Sequence, residues 1–324
     1  MIRIYGTLGP ACARAEILEE MLRQGMTGIR LNLSHISLEE AADELAELRR
    51  AEENTGLRAE LLIDMQGPEL RIGALPTPLL LRAGETVDLE KLPLPEEVRA
   101  AIEPGQELLL DDGKLLLTAL RGGKVHVNRG GLLQSRKSVA LPGKEIRLPP
   151  LTGQDLRNIA AAKACGVSAL MQPFVRSRED LLAVRQALDR AGCAGIRLLA
   201  KVESRAGMEQ LSELIGACDE IVIARGDLGN AMPLWELPAA QKRIAAQCLA
   251  AGRPFMVVTQ MLASMEQNPV PTRAEVSDIF NAVLDGAASV MVTGETAAGK
   301  YPVETIRYLA QTVLQAECYQ SKGE

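Results

Sequence analysis

The sequence is poor in aromatic residues and histidine, and it has no long apolar run. Aromatic residues make up 2% of the 324 positions, two residues are histidine, and the formal net charge is −6. Proteins that bind nucleic acids stack bases on aromatic side chains and present basic surfaces, so a nucleic-acid partner is excluded. No run approaches the roughly 20 apolar residues that cross a bilayer, and the N-terminus lacks the pattern of a signal peptide. We therefore expect a cytoplasmic protein without a membrane partner.

The six cysteines are scattered along the chain and include no CxxC pair. Zinc sites and disulfide frameworks use short, regular cysteine spacings, and thiols in the cytoplasm stay reduced. The two histidines, His35 and His126, are also too far apart in the sequence to suggest a metal site. The sequence thus indicates neither a zinc site nor a disulfide framework.

Short β-like runs alternate with helical patterns along most of the chain. Hydrophobic residues make up 47% of the sequence, enough for a sizeable core. Eight strand-like runs are present, at residues 2–6, 27–33, 59–63, 168–171, 197–202, 220–224, 255–258 and 289–292. Ser37 and Pro302 are residue types that often begin helices, and we predict that helices start at these two positions. Eight strands that each precede a helix are typical of a (β/α)8 barrel, so we predict an α/β protein with the TIM-barrel fold.

One interval departs from this alternation. About 100 residues separate the third and fourth runs, where the barrel repeat needs only one helix. The segment 75–147 is rich in Pro and Gly and contains further β-like runs. We predict that it forms a small β domain inserted after the third strand, and that residues 1–74 and 148–324 form the barrel.

Polar side chains lie at or directly after the carboxyl ends of six of the eight predicted strands. They are Arg30, Asn32, Ser34, Asp64, Lys201, Glu203, Asp227, Thr259 and Thr293. The carboxyl ends of barrel strands meet on one face, which is where TIM-barrel active sites lie. Glu203 and Asp227 carry the oxygen ligands that Mg²⁺ or Mn²⁺ prefers. Arg30 and Lys201 carry positive charge suited to an anionic substrate.

Taken singly, these residues also have structural interpretations. Asp64 could cap a helix. Lys201 and Glu203 could form an ion pair that fills the barrel, and Asp227 could shape a turn. Packing does not explain the recurrence of polar groups at six strand ends, and the set as a whole favours an active site.

The segments that carry these residues resemble those of the pyruvate kinase family. They are RLNLSH (30–35), GPELR (67–71), KVES (201–204), ARGDLG (224–229), TQMLASM (259–265), PTRAEVSDIFNAVLDG (271–286) and TGETAAGKYP (293–302). They follow the family's order and spacing, and the resemblance extends to about residue 316. It implies a barrel with a mobile β lid. The implied reaction is the glycolytic transfer of a phosphoryl group from phosphoenolpyruvate to ADP, giving pyruvate and ATP.

The resemblance also implies two cation sites. Glu203 and Asp227 would hold Mg²⁺ or Mn²⁺ against the carboxylate and enolate oxygens of the substrate. The ligands of a monovalent ion, typically K⁺, would be Asn32, Ser34, Asp64 and the carbonyl of Met65. Glu69 stands where a glutamate accompanies K⁺ dependence in the family.

Further roles are implied for catalysis and substrate binding. Lys201 would stabilise the phosphoryl group in flight and the enolate, assisted by Arg30. Thr259 would lie beside the carbon that gains a proton, and Thr293, in place of the usual Ser, would keep a hydroxyl for a proton relay. The amides of Gly226 and Asp227 would bind the substrate carboxylate at the start of a short helix. The implied nucleotide-binding residues are Arg30, His35, Arg71 and Lys137.

The sequence departs from the family pattern at several points. Gln66 replaces a Lys, Gln172 and Pro173 replace Ala and Ser, and Asn230–Ala231 replaces a pair that usually includes Glu. The insertion is shorter than usual, and the sequence ends where the family continues into an allosteric domain. We therefore expect no effector site of that kind, and any homo-oligomer would use a different interface.

Two other functions stay open at this point. One is a metal-dependent enzyme of pyruvate-enolate chemistry, such as an aldolase or a decarboxylase of a 2-oxo acid. The other is a non-catalytic protein that binds phosphoenolpyruvate or pyruvate.

Overall fold

The computed structural model describes residues 1–34, 36–111, 113–144, 146 and 148–322. The chain separates into two compact units. One is Pro68–Pro149, and the other comprises Met1–Gly67 and the chain from Pro150 onward. The sequence had placed the inserted domain at residues 75–147. In the structure the inserted unit begins at Pro68 and ends at Pro149.

The first part of the larger unit alternates strands and helices. Its elements are β1 (Arg3–Thr7), α1 (Ala15–Arg23), β2 (Gly28–Asn32), α2 (Ala42–Thr55) and β3 (Glu60–Asp64). The predicted helix start at Ser37 was wrong, because α2 begins at Ala42. Ser37 instead closes a single turn, in which its Oγ accepts from the Glu40 amide and its own amide donates to the Glu40 carboxylate.

The smaller unit is a β structure with its own core. Its elements are β4 (Leu79–Leu81), β5 (Thr86–Asp88), α3 (Glu96–Ala101), β6 (Glu107–Leu110), β7 (Leu115–Leu120), β8 (Lys124–Arg129), β9 (Gly131–Leu133) and β10 (Val139–Ala140). Five strands pair antiparallel in the order β10-β6-β7-β8-β5, and β4 pairs with β9. Alternate residues of β7, including Leu115 and Leu117, are buried, as expected for a sheet with one face on the core.

The larger unit then resumes its alternation of strands and helices. Its remaining elements are α4 (Gly153–Ala162), β11 (Ala169–Gln172), α5 (Arg178–Arg190), β12 (Arg197–Val202), α6 (Arg205–Glu209), α7 (Leu211–Ile215), β13 (Glu220–Ala224), α8 (Arg225–Asn230), α9 (Leu237–Ala250), β14 (Phe255–Val258), α10 (Arg273–Leu284), β15 (Ser289–Met291), α11 (Gly294–Ala297) and α12 (Pro302–Lys322). The last helix starts at Pro302, as predicted.

Eight parallel strands close into a barrel in the order β1-β15-β14-β13-β12-β11-β3-β2. The prediction of a TIM barrel is confirmed, and each predicted strand end lies within one residue of the observed end. Apolar side chains such as Leu62, Met171, Val222 and Met256 fill the interior. Strand ends are easy to locate in this fold because strands buried on both faces are nearly continuous apolar runs.

A charged network closes the amino-terminal end of the barrel. Glu220, fully buried, lies 2.7 Å from Arg3 Nη2 and 2.9 Å from Arg197 Nη1. Arg197 also lies 2.6 Å from Glu60 Oε1. These four residues are the first residues of their strands. Paired charges therefore fill the amino-terminal end of the barrel.

Among the described residues, no helix is both long enough and apolar enough to span a bilayer.

Candidate active site

The predicted catalytic residues of the larger unit gather at the carboxyl ends of the barrel strands. Asp64 is the last residue of β3, and Glu203 directly follows β12. Asp227 lies in the first turn of α8, which follows β13 without an intervening loop. Thr259 directly follows β14, and Thr293 is the second residue after β15. The barrel closure therefore brings together residues that are far apart in the sequence.

A row of alternating charges crosses this face of the barrel. Arg30 Nε and Nη2 lie 2.8 Å and 2.7 Å from Asp64 Oδ2. Lys201 Nζ lies 3.5 Å from the same oxygen and 2.7 Å from Glu203 Oε1. Burial opposes the charge of Lys201, but Asp64 and Glu203 outweigh it and raise the pKa of the ammonium group. Lys201 therefore stays a cation at every physiological pH.

Glu203 is a buried carboxylate whose two oxygens have different surroundings. Oε2 accepts a 2.7 Å hydrogen bond from the Phe174 amide, and Oε1 forms an ion pair with Lys201 at 2.7 Å. Burial raises the pKa of Glu203 above the usual range of a glutamate; Lys201 opposes the rise and Asp227 adds to it. Phe174 adopts a φ of 52°, an uncommon left-handed conformation that aims its amide at the carboxylate.

The same carboxylates fit a divalent cation. Carboxylate oxygens are the ligands that hard divalent cations such as Mg²⁺ prefer. Glu203 directly follows β12, Asp227 lies in the first turn of α8 after β13, and β12 and β13 are hydrogen-bonded neighbours, so the two acids come from adjacent strand ends. Mg²⁺ is commonly held by one or two carboxylates, with substrate oxygens and waters completing its shell. The described residues contain no cluster of three or more His, Cys, Asp or Glu placed to hold a metal. A divalent ion held by Glu203 and Asp227 would need further ligands besides these two carboxylates.

The residues expected to hold a monovalent cation lie on β2, β3 and the segments that follow them. Asp64 Oδ1 is buried and accepts no hydrogen bond from the described residues, so one oxygen remains for a cation. Asn32 lies opposite Asp64 in the β2–β3 register, and its Oδ1 accepts from the Ser34 amide at 3.2 Å. The Met65 amide donates to the Met171 carbonyl, which fixes the peptide after Asp64. This oxygen-rich set suits a hard cation.

Thr259 packs against the start of α8. A Cβ placed on Gly226 would lie 3.2 Å from Thr259 Cγ2, so only glycine leaves normal space there. Thr259 and Gln260 have φ angles of 83° and 53°. Each such conformation costs of order 1–3 kcal/mol in a non-glycine residue, and it persists where the surroundings hold it in place.

Thr293 precedes α11, and its hydroxyl is turned toward Glu295. The Glu295 carboxylate accepts from the Thr293 amide at 2.6 Å and from the Thr293 hydroxyl at 3.2 Å. Glu295 is 1% exposed and also accepts from the Leu262 amide at 3.2 Å. The proton-relay role expected for Thr293 stays a prediction.

The expected nucleotide-binding residues fall into different parts of the chain. Arg71 and Lys137 belong to the smaller unit, where Arg71 forms an ion pair with Glu69 at 2.7 Å and Lys137 with Asp111 at 2.9 Å. They lie on neighbouring segments, since the Ile72 amide donates to the Lys137 carbonyl. Arg30 belongs to the larger unit, and His35 lies outside the described residues.

Two positions were not foreseen from the sequence. The buried Asp155 carboxylate accepts from the amides of Gln66 and Gly67 at 3.1 and 3.2 Å while it completes the capping box of α4 with Thr152. The Thr-x-x-Asp pattern predicts the cap but not the second contact. Arg225 binds the backbone of Thr259, a contact that no sequence pattern announces.

A closed parallel barrel with buried acids and a lysine at its carboxyl face defines a TIM-barrel protein with its site at the usual end. Residues 1–306 match the family described as "Pyruvate kinase, barrel domain". A "Pyruvate kinase" of Geobacillus stearothermophilus is 35% identical, covering 97% of this chain and 57% of the relative. One of Aeropyrum pernix is 39% identical, covering 97% and 70%. One of Methylorubrum extorquens is 37% identical, covering 97% and 68%. The chain belongs to the pyruvate kinase family, and it spans between 57% and 70% of the length of these relatives.

Proposed function

We propose that the chain transfers the phosphoryl group of phosphoenolpyruvate to ADP, giving pyruvate and ATP. The observation that carries this proposal is the buried Lys201, held as a cation between Asp64 and Glu203. Phosphoryl transfer passes through a loose transition state, so catalysis is mostly alignment and charge stabilisation. A fixed cation beside Glu203, one of the two acids that fit a metal ion, is suited to that task.

Each of the predicted site residues of the larger unit has a role in this reaction. The ammonium group of Lys201 faces the phosphoryl group and then the enolate oxygen left behind, with Arg30 beside it. The amides of Gly226 and Asp227, at the start of α8, receive the substrate carboxylate. Thr259 and Thr293 supply hydroxyls for protonation of the enolate carbon. Mg²⁺ or Mn²⁺ on Glu203 and Asp227 would neutralise substrate charge when bound.

The remaining assignments concern the nucleotide and the monovalent ion. Arg30, His35, Arg71 and Lys137 would contact ADP or ATP. K⁺ would occupy the oxygens of Asn32, Ser34, Asp64 and Met65, in keeping with Glu69. Full activity in tetramethylammonium buffer without K⁺ would contradict that assignment.

The purified protein is tested with phosphoenolpyruvate, Mg²⁺ and K⁺, with and without ADP, while pyruvate and ATP are measured. We expect pyruvate to form only in the presence of ADP and in an amount equal to ATP. In Lys201→Met, we expect the rate of pyruvate formation to fall by a factor of about 10³ or more. The matched control is Lys242→Met, because Lys242 is an exposed lysine of α9 paired with Asp285. Equal activity in the two variants would contradict the assigned role of Lys201.

A second function, enolate chemistry on another 2-oxo acid, is favoured by one observation. The larger unit holds the groups that would stabilise an enolate. The positive charge that the family places beside the phosphate region is missing, because Gln66 stands at the position of that lysine. This alternative predicts metal-dependent exchange of the pyruvate methyl protons without ATP formation. Binding of phosphoenolpyruvate without turnover or exchange would instead indicate a non-catalytic protein.

A further inference from the structure

Two consecutive residues after β14 hold a backbone conformation that L-residues avoid. Thr259 has a φ of 83° and Gln260 a φ of 53°. Left-handed conformations are uncommon in non-glycine residues, and for a β-branched residue such as threonine they are genuine outliers. Because such strain persists only where neighbouring groups enforce it, the contacts of the Thr259 peptide identify what enforces it here.

The carbonyl oxygen of Thr259 is bound by the guanidinium of Arg225, the first residue of α8. Its Nη2 and Nε donate to the Thr259 carbonyl oxygen at 2.7 and 3.2 Å. Its Nη1 lies 2.8 Å from both carboxylate oxygens of Asp278, on α10. The Arg225 side chain is 12% exposed. Two donors on one carbonyl and a carboxylate behind the guanidinium make a fixed, charge-assisted arrangement.

The position of this carbonyl governs the position of the Thr259 side chain. Thr259 Cγ2 and Oγ1 lie within 3.2 and 3.6 Å of where a Gly226 Cβ would be, at the start of α8. We propose that Arg225 and Asp278 are positioning residues. They hold the Thr259 peptide in its left-handed conformation and thereby place its hydroxyl beside the substrate carbon that gains a proton. This inference rests on the proposed function.

The kinetic test compares Asp278→Asn with Asp285→Asn. Both changes remove one acid near the same surface, but Asp285 pairs with Lys242 and Gln241 and touches neither Arg225 nor Thr259. We expect Asp278→Asn to lower kcat about tenfold, because small misplacements of catalytic groups are costly, with the KM for phosphoenolpyruvate within about twofold of the original. Asp285→Asn should leave both values unchanged. Equal values in the two variants, or a change in KM alone, would overturn the inference.

A comparison of a conservative with a non-conservative substitution of Arg225 gives a second measurement, which separates positioning of Thr259 from a general structural role. Arg225→Lys keeps one donor for the Thr259 carbonyl, whereas Arg225→Met keeps none. We expect methyl-proton exchange of pyruvate to be slowed more in Arg225→Met than in Arg225→Lys, with melting temperatures of the two variants alike. Equal exchange rates in the two variants would count against the positioning role.

A crystal structure of Arg225→Met separates this inference from the proposed function. If the unaltered protein forms no pyruvate with ADP, the proposed function is wrong. The conformation of Thr259 in the structure of Arg225→Met still tests the inference. Thr259 leaving the left-handed region supports the role of Arg225. An unchanged Thr259 peptide overturns it. If Arg225→Met does not fold, the structure of Asp278→Asn is read in the same way.

Discussion

At the residue scale, the site depends on a few side chains whose charges are compensated by neighbours. Asp64 illustrates this, because its Oδ2 pairs with Arg30 and Lys201 while its Oδ1 has no hydrogen bond within the described residues. Removing one partner of such a buried group leaves an uncompensated charge, whereas adding a missing partner strengthens the set. Gln66, which stands where the family pattern has a lysine, is therefore a position at which a missing charge can be restored and its effect measured.

Gln66→Lys restores the charge that the family carries after β3. The Gln66 amide is already held by Asp155 at 3.1 Å, so the substitution changes the side chain without moving the backbone. We expect the rate of ATP formation from phosphoenolpyruvate and ADP to rise about tenfold or more, because a preorganised cation stabilises the transferring phosphoryl group. Steady-state kinetics of both variants at saturating Mg²⁺ check this.

The control is Gln210→Lys, which adds the same charge at an exposed position near the end of α6. An equal gain from both substitutions would point to a general effect of net charge. No gain from Gln66→Lys would contradict the prediction that a positive charge at this position speeds phosphoryl transfer.

At the element scale, helix α10 shows how a local sequence signal also shapes the site. Thr272 caps the helix, and Glu275 completes the capping box. The Glu275 carboxylate also accepts from the Ser264 amide at 2.7 Å and the Ser264 hydroxyl at 2.6 Å, in the segment after Thr259. The same helix carries Asp278. The start of α10 thus fixes both the helix and the loop that leads away from β14.

Thr272→Ala removes the cap of α10. We expect a loss of about 1 kcal/mol in the free energy of unfolding, the usual value of an N-cap hydroxyl. Urea unfolding followed by circular dichroism measures it. Ser277→Ala, an exposed change on the same helix, should stay within about 0.5 kcal/mol of the original. Equal losses would mean that the cap contributes nothing beyond helix propensity.

At the scale of the whole molecule, the two ends of the barrel have opposite characters. The amino-terminal end is closed by Glu220 with Arg3 and Arg197, which join the starts of β1, β12 and β13. The carboxyl end keeps carboxylate oxygens without hydrogen bonds among the described residues. Stability is therefore concentrated at one end of the barrel and chemistry at the other.

Glu220→Ala tests this division of roles. The substitution removes the buried carboxylate that Arg3 and Arg197 share, while Arg197 keeps Glu60, and we expect a loss of about 1.5–3 kcal/mol in the free energy of unfolding. The KM for phosphoenolpyruvate, measured below the unfolding transition, should stay unchanged. Glu209→Gln, at an exposed position, is the control and should leave stability unaltered. A large change in KM would indicate that the amino-terminal end communicates with the site.

The sequence by itself determined the barrel and most of its site. Its buried strands are continuous apolar runs, so their ends and the polar residues that follow them could be located to within one residue. Family motifs then assigned roles to those residues. The prediction that α2 starts after Ser37 was wrong because a one-turn motif with Glu40 uses the same residues as a cap.

Only the tertiary structure decided which groups compensate one another. The pairing of Asp64 with both Arg30 and Lys201, the second contact of Asp155, and the hold of Arg225 on Thr259 all join residues distant in sequence. Such contacts depend on the closure of eight strands and on the angles at which the helices return. Local propensity carries no information on either, because the contacts form only when distant elements are packed together.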